Sequence, residues 1–451
     1  MRLAVILPYD MTARHLLETD FVSLLAQQSS VEQVHIVARA APVLPANWQY
    51  APLVRPFRSQ PKTLWADSKL VLGHMLHQIL ICRFNLLREF QGFADRLKQS
   101  GALRKQEIKE GHPSSRLFAF PFPRSLKLYG WLLKSYWGQW QRHPAVEAWF
   151  DQAQPDLVVL GHIQNPFITP YILAARARGI PLMGMNGSWD QPTTKGPLAP
   201  CLSAILVQNE HIKDELMRYH GVNAEKIRVC GWPQMDHYAR YIPSDRSAFL
   251  RSIGLPETAR YILFGAYSER LGRHEPRVFD ALARALQKDE FGEQVWLYVR
   301  AHPLDRQWQK RLGYLRGLPR VVLEPPNLGD LEHLTQLVQH ASMVVASAGT
   351  ILLDAAALDV PAIALAYEDE TQPYYDRPAR RLEMEHYAAV LATGGMWKVH
   401  NVAELKQAIL GYLENPFYHA SERQALRAQF LEPLDGGAAQ RIVEQMVRGE
   451  V

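Results

Sequence analysis

The chain has 451 residues, 47% of them hydrophobic and 21% charged, with a formal net charge of +5. That length exceeds one comfortable core and predicts two domains, while the ordinary balance of residue types excludes a disordered or fibrous chain. Three cysteines, Cys82, Cys201 and Cys230, stand without a CxxC pair, which argues against a disulfide framework or zinc site and for a reducing compartment. The small basic excess suits an anionic ligand or a membrane surface, and without a recognition motif no nucleic-acid partner is expected.

The N-terminal run MRLAVILPYD is too short for a signal peptide and reads as a first strand, Arg2–Leu7. A helix over His15–Gln27 and a strand over Gln33–Ala38 follow, the rhythm of a parallel sheet. From about Lys62 to Phe150 long amphipathic stretches rich in Leu, Trp, Arg and Lys predict a helical insertion. Its most apolar part, Leu70–Cys82, is too short to span a bilayer. Within it Trp131, Lys134, Trp137, Trp140 and Arg142 suit a membrane interface, although helix packing with snorkelling cations explains the same letters. Cytoplasmic residence is therefore expected, with peripheral contact at the inner face of the membrane left open.

Alternation returns with strands over Asp156–His162, Pro181–Asn186, Ser203–Gln208 and Ile227–Gly231. The segment from Pro233 to Glu257 lacks strand character and is the expected connection between domains. A second alternation has strands at Tyr261–Ala266, Val295–Pro303, Val321–Pro325, Met343–Ser347 and Pro361–Ala366, with helices near Val278–Gln287 and Leu331–His340. The expected organisation is residues 1–240, 255–415 and a helical tail at 416–451. Each of the first two is a doubly wound sheet, and ligands of such sheets bind outside the carboxyl ends of the strands.

Three strand-end loops of the second alternation carry anion-binding chemistry. Ser347, Ala348, Gly349 and Thr350 form a small-residue turn into a helix, where free N–H groups and the helix dipole suit a phosphate. Asp354, one turn further, is a candidate for a ribose hydroxyl; an ordinary strand-to-helix turn with a Ser or Thr cap accounts for the same residues. Arg300, His302 and Pro303 end another strand and are candidates to stabilise a departing diphosphate. Ser268 and Arg270, with Tyr267 and Arg273, follow the first strand. Glu370, in the acidic run Glu368–Thr371, is a candidate for sugar hydroxyls or a plain solvated loop. No GxGxxG or P-loop pattern is present.

In the first half, the tract Asn186–Gly196 (NGSWDQPTTKG) sets Trp189 to stack on a sugar ring and Asp190 to accept hydroxyl hydrogen bonds. Asp10, His15 and His162 stand at strand ends and are candidate catalytic bases; with 17 histidines in the chain, some reach such positions by chance.

The ordered set GSWDQPTTKG, SAILVQNEHIKDEL, HGVNAEKIRVCGWPQMD, RAHPLD and SAGTILLDAAALDVPAIAL, within about Leu157–Gly411, resembles bacterial GT-B glycosyltransferases of surface polysaccharides. More distantly it is similar to CDP-glycerol glycerophosphotransferases, capsule transferases and bacterial sialyltransferases. In those families an HP pair and a Ser/Thr-rich turn hold the donor phosphates, which the resemblance carries to His302, Pro303, Ser347, Gly349 and Thr350. The non-hydrolysing UDP-N-acetylglucosamine 2-epimerases share the fold, but their paired glycines and glutamates are replaced here by SAGT and the single Asp354.

The resemblance implies an α/β GT-B fold: two Rossmann-like domains facing a cleft, with the insertion at about 62–150 shaping acceptor choice. It implies transfer of a sugar from a nucleotide sugar to a glycan or lipid-linked acceptor, with no cofactor and no metal, since no DxD-type pair ends a strand. An epimerase and a non-catalytic scaffold in polysaccharide assembly are the competing readings.

Overall fold

The computed structural model describes residues 1–54, 142–194, 198–199, 201–242, 245–269, 272–368 and 377–448. Most of the expected insertion, together with Arg270 and the acidic run from Asp369 to Thr371 that contains Glu370, lies outside them. The chain divides into two units, Met1–Cys230 with Ala439–Val451, and Gly231–Ala438.

The first unit carries a parallel sheet of seven strands among the described residues: β1 (Arg2–Leu7), β2 (Gln33–Ala38), β3 (Trp48–Pro52), β4 (Leu157–Leu160), β5 (Leu182–Met185), β6 (Ala204–Val207) and β7 (Ile227–Val229). Their spatial order is β3-β2-β1-β4-β5-β6-β7. Continuous apolar runs such as Leu3–Leu7 and Leu157–Leu160 are buried on both faces, as parallel strands covered by crossover helices must be. The predicted helix over His15–Gln27 is two helices, Asp10–Leu17 and Phe21–Ala26. The Thr19 hydroxyl donates to the Leu16 carbonyl at 2.7 Å and accepts the Phe21 N–H, turning the chain between them. The last helix, Ala438–Arg448, returns to this unit and buries Ala439, Ile442, Val443 and Met446 beside Leu3, Val5 and Phe21. Arg441 Nε donates to the Cys230 carbonyl at 2.8 Å.

The second unit has six parallel strands among the described residues: β8 (Arg260–Gly265), β9 (Val295–Arg300), β10 (Val321–Glu324), β11 (Met343–Ala346), β12 (Ala362–Leu365) and β13 (Trp397–Val399). The order β10-β9-β8-β11-β12-β13 is that of a Rossmann sheet, in which connections run one way from β8 to β10 and the other way from β11 to β13. β3 and β13 were not expected from sequence: each is short, at a sheet edge, and without a continuous apolar run. The helix Glu275–Gln287 lays Val278, Phe279, Leu282 and Leu286 on the sheet, with Phe279 edge-on to Phe264 at 4.7 Å. Among its described residues the stretch 233–257 has no strand, as expected, and holds the helices Asp236–Arg240 and Arg246–Ser252. Among the described residues no helix is long and apolar enough to cross a membrane.

Candidate active site

In each sheet the strand order reverses between two neighbours, β1 and β4 in the first unit, β8 and β11 in the second, opening a crevice at their carboxyl ends where such sheets take ligands. The loops on either side of those crevices contain most of the sequence candidates.

In the second unit β11 ends at Ala346 and runs through Ser347, Ala348, Gly349 and Thr350 into the helix Ile351–Ala357. Gly349 has φ of 129°, a conformation that favours glycine. Its N–H donates to the Tyr387 hydroxyl, which donates in turn to the Gly349 carbonyl at 2.7 Å, so Tyr387 pins the turn. Ser347 is buried and its hydroxyl lies 2.8 Å from His274 Nε2. The His274 ring is buried and stacked on Tyr367 at 5.2 Å. Thr350 is exposed and Asp354 is buried. Facing this turn, β8 ends at Gly265, where a Cβ would come within 2.9 Å of Ile351, so strand and helix approach closely because residue 265 has no side chain.

The β8 and β9 loops are braced together. Tyr267 N–H donates to both carboxylate oxygens of Glu275, at 2.9 and 3.0 Å. Glu275 is fully buried against Arg311 at 2.9 Å, and Arg311 also pairs with buried Asp305 at 2.7 Å. The same guanidinium donates to the carbonyls of Tyr267 and Gly272. Burial pushes the Glu275 carboxyl up to about 7, against the pull of Arg311 and the Tyr267 N–H.

His302 stacks on Tyr267 with ring centroids 5.7 Å apart. Its Nδ1 accepts the Leu304 N–H at 3.1 Å, which places the ring proton on Nε2. Burial lowers its pKa, Asp305 opposing and Arg311 adding, so at neutral pH the ring is an N–H donor rather than a cation. Ser268 is partly buried in the β8 loop and Pro303 partly buried after His302. Arg300, expected beside a diphosphate, is buried and engaged elsewhere: it pairs with Glu324 at 2.8 Å and donates to the Asn327 carbonyl at 2.9 Å. Glu324 follows from the register, since it stands opposite Arg300 at the ends of neighbouring strands.

In the first unit the crevice brings Tyr9 edge-on to His162 at 5.4 Å. His162 is buried, and its Nδ1 accepts the Gln164 N–H at 3.1 Å, the same i+2 arrangement as at His302. Asp10 opens the helix Asp10–Leu17 and is exposed. His15 is partly buried and faces the Arg14 guanidinium at 3.2 Å. Burial, with Arg14 adding, pushes His15 down to about 3, so its ring is a weak proton acceptor. Gly187 packs at this end too: a Cβ there would lie 3.1 Å from both the Gly161 carbonyl and Thr12. Trp189, expected as a stacking platform, is only 7% exposed, because the tract folds inward as the turn Gln191–Thr194 and the Gly187 N–H bonds to Gln191 at 3.0 Å. Asp190 is partly buried and accepts the Ser188 hydroxyl at 2.6 Å.

Sequence reading missed His274, Glu275, Arg311 and Tyr387. His274 and Glu275 precede a proline at a helix start, and Arg311 and Tyr387 stand in unremarkable helices, so no local pattern marks them.

Residues 200–448, more than half of the chain, match the family model of CDP-glycerol:poly(glycerophosphate) glycerophosphotransferase. The chain belongs to that family. No curated protein sequence matches it. Among solved structures, this glycerophosphotransferase-family chain is similar to Staphylococcus aureus MnaA in complex with UDP, with 13% identity, 99% of this chain and 96% of that one covered, and a TM-score of 0.56. It is also similar to the UDP-GlcNAc 2-epimerase of Methanocaldococcus jannaschii, with 14% identity, 100% of both chains covered and a TM-score of 0.52. For WaaG, a glycosyltransferase involved in lipopolysaccharide biosynthesis, the identity is 11%, the coverage 99% and 100%, and the TM-score 0.50. Identities this low speak to the fold alone, which is of the GT-B class with two Rossmann-like sheets.

Proposed function

We propose that the chain transfers a sugar from a nucleotide-activated donor to a glycan or lipid-linked acceptor, with the donor's diphosphate at the β8/β11 crevice. The observation that carries this reading is the grouping at that crevice: the half-buried His302 with its proton on Nε2, and the Ser347–Thr350 turn opening a helix. A charge-assisted hydrogen bond from His302 Nε2–H and the hydroxyls of Ser347 and Thr350 hold a phosphate. The acceptor hydroxyl oxygen bonds to the anomeric carbon as the anomeric C–O bond to the donor breaks, the nucleotide leaves with the electron pair, and the hydroxyl proton passes to a base, for which Asp10 and His162 are the candidates. Asp354 is assigned to the ribose and Asp190 to an acceptor hydroxyl. His302, Ser347 and Thr350 stabilise the leaving phosphate by hydrogen bonds, and the reading takes no resident metal or other cofactor, so activity is expected to withstand EDTA. Peripheral membrane contact belongs to the same reading, for a lipid-linked acceptor.

Family membership favours a second reading, in which a glycerophosphoryl group moves and the P–O–P bond breaks instead. The two leave different nucleotides. The chain is incubated with UDP-, GDP-, dTDP- and CMP-activated sugars and with CDP-glycerol, each with and without acceptor, and the nucleotide is identified by chromatography. Nucleoside diphosphate, or CMP from the CMP-activated sugar, released only with acceptor supports sugar transfer, whereas CMP released from CDP-glycerol supports the second reading. A new sugar nucleotide formed without acceptor means epimerisation. If UDP, CDP, CMP, GDP, ADP and dTDP all leave the melting temperature unchanged at millimolar concentration, the nucleotide site itself is wrong.

A further inference from the structure

Three loops meet at the β8/β11 crevice, and one dipeptide touches two of them directly. His274 and Glu275 lie side by side at the start of the helix Glu275–Gln287, both buried to within 1%. They reach apart. His274 Nε2 meets the Ser347 hydroxyl at 2.8 Å, on the β11 turn. The Glu275 carboxylate takes the Tyr267 N–H on both oxygens, in the β8 loop. Arg311 extends the set to the β9 loop through Asp305 at 2.7 Å while gripping Glu275 at 2.9 Å. His302 is then held between Tyr267, on which it stacks, and Leu304, whose N–H it accepts.

Burying a carboxylate, a guanidinium and an imidazole here costs desolvation that an apolar core would avoid, so stability alone is a poor reason for the arrangement. A group that must meet a phosphate within a few tenths of an ångström does need its loop fixed beforehand, because ordering a loop on binding subtracts from affinity. We infer that His274, Glu275 and Arg311 are positioning residues that set Ser347 and His302 for the donor phosphates. The inference rests on the nucleotide reading above. None of the three touches the ligand: His274 acts through Ser347, Glu275 through Tyr267, and Arg311 through both Tyr267 and Asp305.

The test is a double-mutant cycle on nucleotide affinity, read by calorimetry with UDP and CDP as probes, on the full chain. The variants are Glu275→Gln, which keeps the shape and removes the charge, Arg311→Lys, which keeps the charge and removes the fork, and His274→Phe, which keeps the ring on Tyr367. Unliganded melting curves select the variants that fold. Each folded variant is expected to lose about tenfold in affinity, the worth of roughly one hydrogen bond to a charged group. In the Arg311→Lys background, His302→Ala is expected to cost less than half of what it costs in the wild type, because the ring it removes is already misplaced. Additive losses for His302 and Arg311, or a folded Glu275→Gln variant that binds as tightly as the wild type, would overturn the inference. The nucleotide reading fails separately, by the wild type binding neither probe. Should His274→Phe not fold, Glu275→Gln and Arg311→Lys decide alone.

Discussion

The two crevices have the same topology and different chemistry. At the β8/β11 crevice the loops are tied by the Arg311 guanidinium, buried with the carboxyl groups of Glu275 and Asp305. At the β1/β4 crevice Arg14 is buried among amides, hydroxyls and an imidazole: Gln164, Gln191, Thr193 and His162, with Asn186 bonded to Gln208 at 2.8 Å. A fixed frame of charges and N–H donors suits a ligand whose own charge is fixed, such as a diphosphate. A frame of amides and hydroxyls suits a ligand rich in hydroxyls. The sheet supplies a place for a ligand, and the loop residues decide which ligand.

The largest expected effect lies in the charged frame. Glu275→Ala removes one of the two carboxyl partners of Arg311, leaving Asp305, and orphans the Tyr267 N–H, and it is expected to destabilise the second unit by about 3 kcal/mol. The matching deletion in the frame of amides and hydroxyls, Gln191→Ala, orphans one Gly187 N–H and is expected to cost roughly 1–3 kcal/mol, toward the lower end. Calorimetric scans of the two variants check the order. A Gln191 variant that melts lower than the Glu275 variant would break the comparison.

Next comes ligand affinity. His302 and His162 are both strand-end histidines with Nδ1 holding an N–H two residues on. If the charge frame selects the nucleotide, His302→Ala is expected to weaken UDP or CDP binding about tenfold or more, a loss of roughly 1.5–3 kcal/mol. His162→Ala is expected to leave that affinity unchanged while lowering the turnover rate. Equal losses of affinity from both would remove the distinction between the crevices.

Much of this architecture is legible in the sequence, and the reasons it stops are physical. Buried parallel strands announce themselves as apolar runs, unbroken in Arg2–Leu7 and interrupted only by His35 in Gln33–Ala38, and both are read to the residue. Edge strands such as Trp48–Pro52, with the pattern Trp-Gln-Tyr-Ala-Pro, carry no such run. His302 and the Ser347–Thr350 turn are visible because strand ends carry ligand chemistry. The groups that orient them are not, because a buried ion network is defined by approach in space: Arg311 is 36 residues from Glu275 and 44 from Tyr267. Trp189 marks the opposite limit, since composition suggests a stacking platform and only packing reveals that its ring is covered.

A smaller effect separates the units by pH. His15 has its pKa lowered from 6.5 to about 3, so the folded state holds it neutral while the unfolded chain takes a proton below pH 6.5. Its contribution is therefore fully present above pH 6.5 and is lost as the pH falls toward 3, by at most about 1.4 kcal/mol per pH unit and less with partial solvent screening. The first unit is expected to melt several degrees lower at pH 5 than at pH 7.5, and His15→Gln to reduce that difference. An acid sensitivity unchanged by His15→Gln would assign it to other groups.

Thr350→Val should do least. Its side chain is exposed and makes no cap hydrogen bond to the helix it precedes, whereas the buried Ser347 hydroxyl meets His274. Stability is therefore expected to change by less than about 0.5 kcal/mol. Any effect must come through a ligand, where one hydroxyl hydrogen bond is worth roughly 1 kcal/mol, about fivefold in affinity. The comparison sharpens if UDP or CDP binding weakens by that factor with the melting temperature of the free protein unchanged, since an exposed hydroxyl that matters only to the bound state is one that faces the ligand. If affinity does not move, the phosphate rests on His302 and Ser347, and Thr350 is outside the contact.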